Sequence, residues 1–142
     1  MGERALFTIG AFAIIFNEAG QVLLSHRRDM DAWNLPGGGL EFEELPTECV
    51  IREVREETGL DVVVERLVGI YGKTGRNELV FAFVCRVTGG YLRVTDESDE
   101  SRYYDIDLLP PNTLKKHALR VLDAIQETRA PVFRKEAAAI RR

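Results

Sequence analysis

The chain reads as an α/β domain in which a mixed β-sheet lies between helices, on three observations. Residues 7–16 and 78–87 are apolar on both alternating faces, the pattern of central strands covered from two sides. Residues 46–58 and 114–125 carry apolar positions at helical spacing. Strand-like segments alternate with these helices. Turn-forming residues at Asn17–Gly20 and Gly89–Gly90 add hairpins to the crossovers.

Composition bounds the rest. At 142 residues with 45% apolar content, one domain with a real core is expected. The net charge of −4 speaks against general nucleic-acid affinity, which rests on a basic surface. Cys49 and Cys85 form no C-x-x-C, and with only two histidines no zinc site assembles. Both are expected as buried thiols in a reducing compartment. No basic segment leads into a long apolar run, so no signal peptide is expected. The run Ile9–Phe16 is too short to span a bilayer. The expected setting is cytoplasmic, with no nucleic-acid and no membrane partner. No internal repeat or linker divides the chain.

Taken along the chain, residues 7–16 and 21–25 form a hairpin through the turn at Asn17–Gly20. His26-Arg27-Arg28 stands at its exit. Arg27 and Arg28 are read either as ligands of phosphate oxygens, which guanidinium groups bind bidentately, or as ordinary surface charge. His26 reads as packing or surface. Trp33 is read either as stacking on a base or, by preference, as anchoring its loop in the core. Leu40–Phe42 reads as a short strand, Pro46–Thr58 as a helix, Asp61–Tyr71 as a β-branched strand and Gly72–Asn77 as a polar loop. After the central strand 78–87, Gly89–Gly90 is expected to close a hairpin onto Tyr91–Val94. Residues 95–102 form a dense acidic loop. The last helix shows an apolar stripe of Leu114, Ala118, Val121, Leu122 and Ile125. A single domain over residues 1–128 leaves a tail, 129–142, expected to be disordered or to pack on a second subunit in a homodimer.

The helix at 46–58 carries the chemistry. Pro46 suits its first turn, and Gly59 the left-handed residue that ends it. On the wheel Val50, Ile51 and Val54 share one arc, and Glu48, Arg52 and Arg55 a second. Glu53, Glu56 and Glu57 share a third, at i, i+3, i+4. Three carboxylates so close repel one another, and a hard divalent cation compensates them, Mg²⁺ preferring carboxylate and phosphate oxygens. The other reading is a solvated acidic face with arginine partners.

The surrounding pattern decides between them. Gly38, Glu44, Arg52, Glu53, Val54, Glu56, Glu57, Gly59 and Leu60 fill every fixed position of G-x5-E-x7-R-E-V-x-E-E-x-G-L. This resembles the signature of the Nudix hydrolases, MutT-like members included, and Trp33-x-Leu35-Pro36-Gly37-Gly38 resembles the family's lead-in. The resemblance extends over roughly residues 5–128. It implies an α/β/α sandwich and a Mg²⁺-dependent (or Mn²⁺-dependent) hydrolase, with metal ligands at Glu53, Glu56, Glu57 and the Gly37 carbonyl. Arg52 then orients Glu44 or Glu56. The family often adds a loop glutamate opposite the helix, for which Glu100 and Glu97 are the candidates. As general base Glu53 stands first and Glu100 second. Tyr103–Pro110 resembles the family's W-F-x-x-D-x-L-P, with tyrosines at both aromatic positions.

The implied reaction splits the pyrophosphate link of a nucleoside diphosphate derivative, a small-molecule nucleotide. A nucleoside triphosphate pyrophosphohydrolase, of the kind that clears oxidised nucleotides, is the leading subclass. An ADP-ribose or nucleotide-sugar pyrophosphatase is second. A third reading, of another class, is a nucleotide sensor that binds without cleaving; the intact glutamates argue against it. RNA cap removal is disfavoured by the acidic balance.

Overall fold

β1 (Thr8–Ile15) runs parallel to β6 (Glu78–Gly90) near the middle of a five-stranded sheet. Its other edge takes the short antiparallel β4 (Gly37–Gly39). β5 (Leu60–Lys73) lies antiparallel on the far side of β6, and β8 (Val132–Glu136) adds in parallel to β5. A second sheet of three strands orders β3 (Trp33–Asn34), β2 (Val22–Arg27) and β7 (Ser98–Tyr104). The computed structural model describes residue 2 and residues 4–137.

Alternation along β1 divides the core. Ala11, Ala13 and Ile15 face α1 (Pro46–Thr58), where Cys49, Val50 and Val54 close over Leu23, Leu60, Val62 and Phe83. Ile14 faces the opposite side, with Val68, Tyr71, Val80 and Ala82, under Val121 and Ala124 of α2 (Lys115–Ala124). The mixed sheet is thus sandwiched between two helices, the α/β/α arrangement expected. Cys49 and Cys85 are free and buried, as anticipated, and burial pushes both thiols up to about 12. No helix among the described residues is long and apolar enough to cross a membrane.

Six sequence expectations need correction. β1 and β2 are not a hairpin: beyond one bridge, Phe16 to Val22, they enter different sheets. Both edges of β1 are already filled, by β4 and β6, so β2 pairs with β3 and β7 instead. The short strand falls on Gly37–Gly39 rather than Leu40–Phe42, because side-chain-free residues lie flush against β1 while Phe42 turns out into solvent at 94% exposure. Gly89–Gly90 does not reverse the chain. β6 continues through both, opposite Asp61 and Leu60, since β5 begins straight after α1 and needs a partner there.

Half of the acidic loop is strand: Ser98 onward forms β7, paired with β2. The tail is ordered as far as described, with β8 tied to α2 by Arg120–Glu136 at 2.9 Å and Arg134–Asp123 at 2.7 Å. Its residues from 138 on lie outside the described residues. Finally, α2 turns inward His117, Arg120, Val121 and Ala124, leaving Leu122 and Ile125 about half exposed. That face keeps the same i, i+3, i+4, i+7 spacing. It was hidden because two of its members are polar residues satisfied inside. His117 Nδ1 accepts the Leu35 N–H at 3.0 Å, and the Arg120 guanidinium lies over the rings of Phe12 and Tyr71.

Candidate active site

α1 begins where the sequence places it. Pro46 fills the first turn, and Glu48 reaches back to the Leu45 N–H at 2.9 Å, one half of a capping box. Gly59, at φ 84°, ends it by donating to Arg55 O. The helix face carrying Glu53 and Glu57 lies against the glycines of β4. A Cβ on Gly38 would stand 2.7 Å from the Glu53 carboxyl carbon, so only glycine lets backbone and carboxylate approach this closely.

Glu57 is 7% exposed and accepts the Gly37 N–H at 2.7 Å. Burial, assisted by Glu53 and Glu97 nearby, pushes its carboxyl up to about 9 against that hydrogen bond. One carboxylate oxygen from each of Glu53, Glu57 and Glu97 lies within 4.8 Å of the others. The Glu97 carboxyl is also raised, by burial first and then by Glu53 and Glu56. Hard oxygen donors at this separation fit a divalent cation such as Mg²⁺, whose opposite ligand oxygens stand ~4.2 Å apart. A buried carboxyl facing two others is the electrostatic problem such an ion resolves.

Arg52 organises the neighbouring acids. Its Nε and Nη2 donate to both oxygens of Glu44 at 2.7 and 2.9 Å, and Nη1 donates to Glu56 at 2.7 Å and Glu53 at 3.0 Å. Nη2 also reaches Gly39 O at 3.1 Å. The Arg52 guanidinium holds the Glu44 carboxyl down at about 2.

The turn before β7 supplies the third carboxylate. Thr95 Oγ1 donates to Glu57 O at 3.1 Å and accepts the N–H groups of Glu97 and Ser98 at 3.2 Å. Beside it a cleft of about 410 Å³ is lined by Phe12, His26, Arg27, Arg28, Glu57 and Glu97 among others. Arg27 grips Asp29 through two bonds of 2.7 and 2.6 Å, and Arg28 donates twice to Thr95 O, at 2.9 and 2.6 Å.

The sequence-derived set is therefore brought together in part. Glu53, Glu57, Gly37, Arg27 and Arg28 converge on the cleft and its acidic wall. Glu44 and Glu56 are held by Arg52 at the edge of the group. Of the two loop candidates, Glu97 joins the cluster and Glu100 does not; Glu100 pairs with Arg102 on β7. Phe12, His26 and Asn34 also line the cleft without having been singled out for it. None of the three carries a motif signal, Asn34 filling the variable position of the W-x-L-P-G-G lead-in.

Known proteins resemble the chain in sequence and in fold. The NUDIX domain profile matches residues 6–125. A MutT-like protein of Streptomyces ambofaciens is 36% identical over 120 residues, covering 84% of this chain and 78% of that protein. A Bacillus subtilis strain 168 protein, provisionally named an 8-oxo-dGTP diphosphatase, is 36% identical over 85 residues, 60% of this chain and 57% of its own length. The crystal structure of a Streptococcus suis ADP-ribose pyrophosphatase superposes with a TM-score of 0.74 at 29% identity, covering 91% of this chain and 98% of that one. The chain belongs to the NUDIX family, as hydrolases acting on phosphoric anhydride bonds.

Proposed function

We propose that the chain is a Mg²⁺-dependent pyrophosphohydrolase of nucleoside triphosphates. The observation that carries this reading is the meeting of Glu53, Glu57 and Glu97 beside a cleft that also holds two arginines. Bound there, Mg²⁺ (or Mn²⁺) supplies neutralisation of phosphate charge and a water that loses its proton readily. Glu53, Glu57 and Glu97 would hold the ion, the Gly37 carbonyl and Glu56 being the further ligands that the family signature implies. The Gly37 N–H fixes the direction of the buried Glu57 carboxyl. Glu53 accepts the proton of the attacking water. Glu100, the second candidate for that role, lies outside the carboxylate cluster that contains Glu53, which favours Glu53. Arg27 and Arg28 neutralise phosphate oxygens, their guanidinium groups held at Nε and Nη2 by the Asp29 carboxylate and the Thr95 carbonyl.

ADP-ribose is the second reading. It is favoured by the near-complete mutual coverage with the S. suis ADP-ribose pyrophosphatase. Incubation with Mg²⁺ and a panel of nucleoside triphosphates, oxidised ones included, and ADP-ribose separates the two. Pyrophosphate with a monophosphate supports the first, and two monophosphates from ADP-ribose support the second. In either case Glu57→Gln lowers kcat by roughly two orders of magnitude or more. No turnover of any member, or an unimpaired Glu57→Gln, refutes both.

A further inference from the structure

We propose that His26 is a positioning residue: held between Asp31 and Asp99, it clasps the turn that carries Glu97 to the loop across the cleft. The inference rests on the reading that Glu97 belongs to the cation site. His26 Nε2 lies 2.9 Å from Asp31 Oδ1 and Nδ1 lies 2.9 Å from Asp99 Oδ1. A carboxylate only accepts, and a neutral imidazole has one N–H. Both contacts are satisfied only when both ring nitrogens carry protons, so the clasp is an imidazolium.

The ring is held by further contacts. It meets Trp33 edge-on, centroids 5.1 Å apart. Asp31 is itself held by Asn112 Nδ2 at 2.9 Å. Asp99 is the extra residue of a β-bulge, where pairing passes from His26–Glu100 to Arg27–Ser98. Such a bulge shifts the alternation of the strand leading into it. Ser98 is buried there, and Glu97 turns towards Glu53 and Glu57. The turn is thus tied at one end through Thr95, by Arg28 and by its own hydroxyl on Glu57 O. His26 ties the other end at Asp99, and Glu97 lies between.

The charged groups around His26 agree. Asp31 and Asp99 face it, and Glu100 stands opposite on β7, engaged by Arg102. The two cations that follow it in the chain are engaged elsewhere, Arg27 by Asp29 and Arg28 by Thr95 O. The hydrogen bonds to Asp31 and then Asp99 raise the imidazole above its ordinary 6.5.

Histidine ¹⁵N NMR tests this directly, since the chain has only two histidines. His117, whose Nδ1 accepts an N–H, serves as the neutral reference. At pH 7 the proposal requires two protonated nitrogens on His26. In parallel, Mn²⁺ alone is titrated into the parent chain and into His26→Gln, which keeps one donor; affinity is expected to fall roughly ten-fold. A neutral His26 ring at pH 7, or a His26→Gln chain that binds Mn²⁺ as tightly as the parent, overturns the proposal. A parent chain that binds no Mn²⁺ refutes the cation reading by itself, and the clasp is then decided by the state of the ring.

Discussion

Arg52 serves Glu44, Glu53, Glu56 and the Gly39 carbonyl with one guanidinium. Lysine offers the same charge without the planar fork and cannot reproduce the two-bonded grip on Glu44. Arg52→Lys is therefore expected to fold but to lose about 1–3 kcal/mol in urea unfolding, with activity down at least ~10-fold. Parental values for both would remove Arg52 from its organising role. That role was legible in the sequence, because Arg52 and Glu56 are four apart on one helix. The division of labour among the glutamates was not. Spacing groups Glu53, Glu56 and Glu57 equally, and Arg52 then draws Glu56 aside. The choice of Glu97 over Glu100 depends on the bulge at Asp99, and a one-residue slip in pairing leaves no periodic trace in an already acidic run.

Strands and helices show the same boundary. α1 was readable to the residue, since proline, glycine and periodicity agree on its ends. Partner choice was not, for pairing depends on which edges other strands leave free, as β1 and β2 illustrate. β8 is the clearest case. Its sequence is short and highly charged, and its place is secured by α2. Arg120, 2% exposed, has Glu136 as its carboxylate partner and leaves its Nε without an acceptor. Glu136→Gln leaves a buried guanidinium uncompensated, and roughly 3–5 kcal/mol of stability is expected to disappear in denaturant unfolding. A change below about 0.5 kcal/mol would show that β8 is not anchored through this pair.

For the chain as one cooperative unit, two buried groups set opposing slopes with pH. Burial depresses His117 from 6.5 to about 3, so the unfolded chain binds the extra proton and stability is lost as pH falls from 6.5 towards 3. Glu57 is raised from 4.5 to about 9, so the folded chain binds the extra proton and stability is lost as pH rises from 4.5 towards 9. Between 4.5 and 6.5 the two slopes cancel. A cation among the carboxylates favours the ionised Glu57 and reverses only the alkaline loss. Scanning calorimetry of the parent and of Glu57→Gln across this range, with and without Mg²⁺, measures the central claim. The expected result is a metal-free parent whose Tm declines above pH 6.5 more steeply than that of Glu57→Gln, which keeps only the shallower loss from the raised His26 imidazole; Mg²⁺ removes the difference that Glu57 makes. A Tm indifferent to Mg²⁺ at pH 8, or raised equally in both chains, would contradict it.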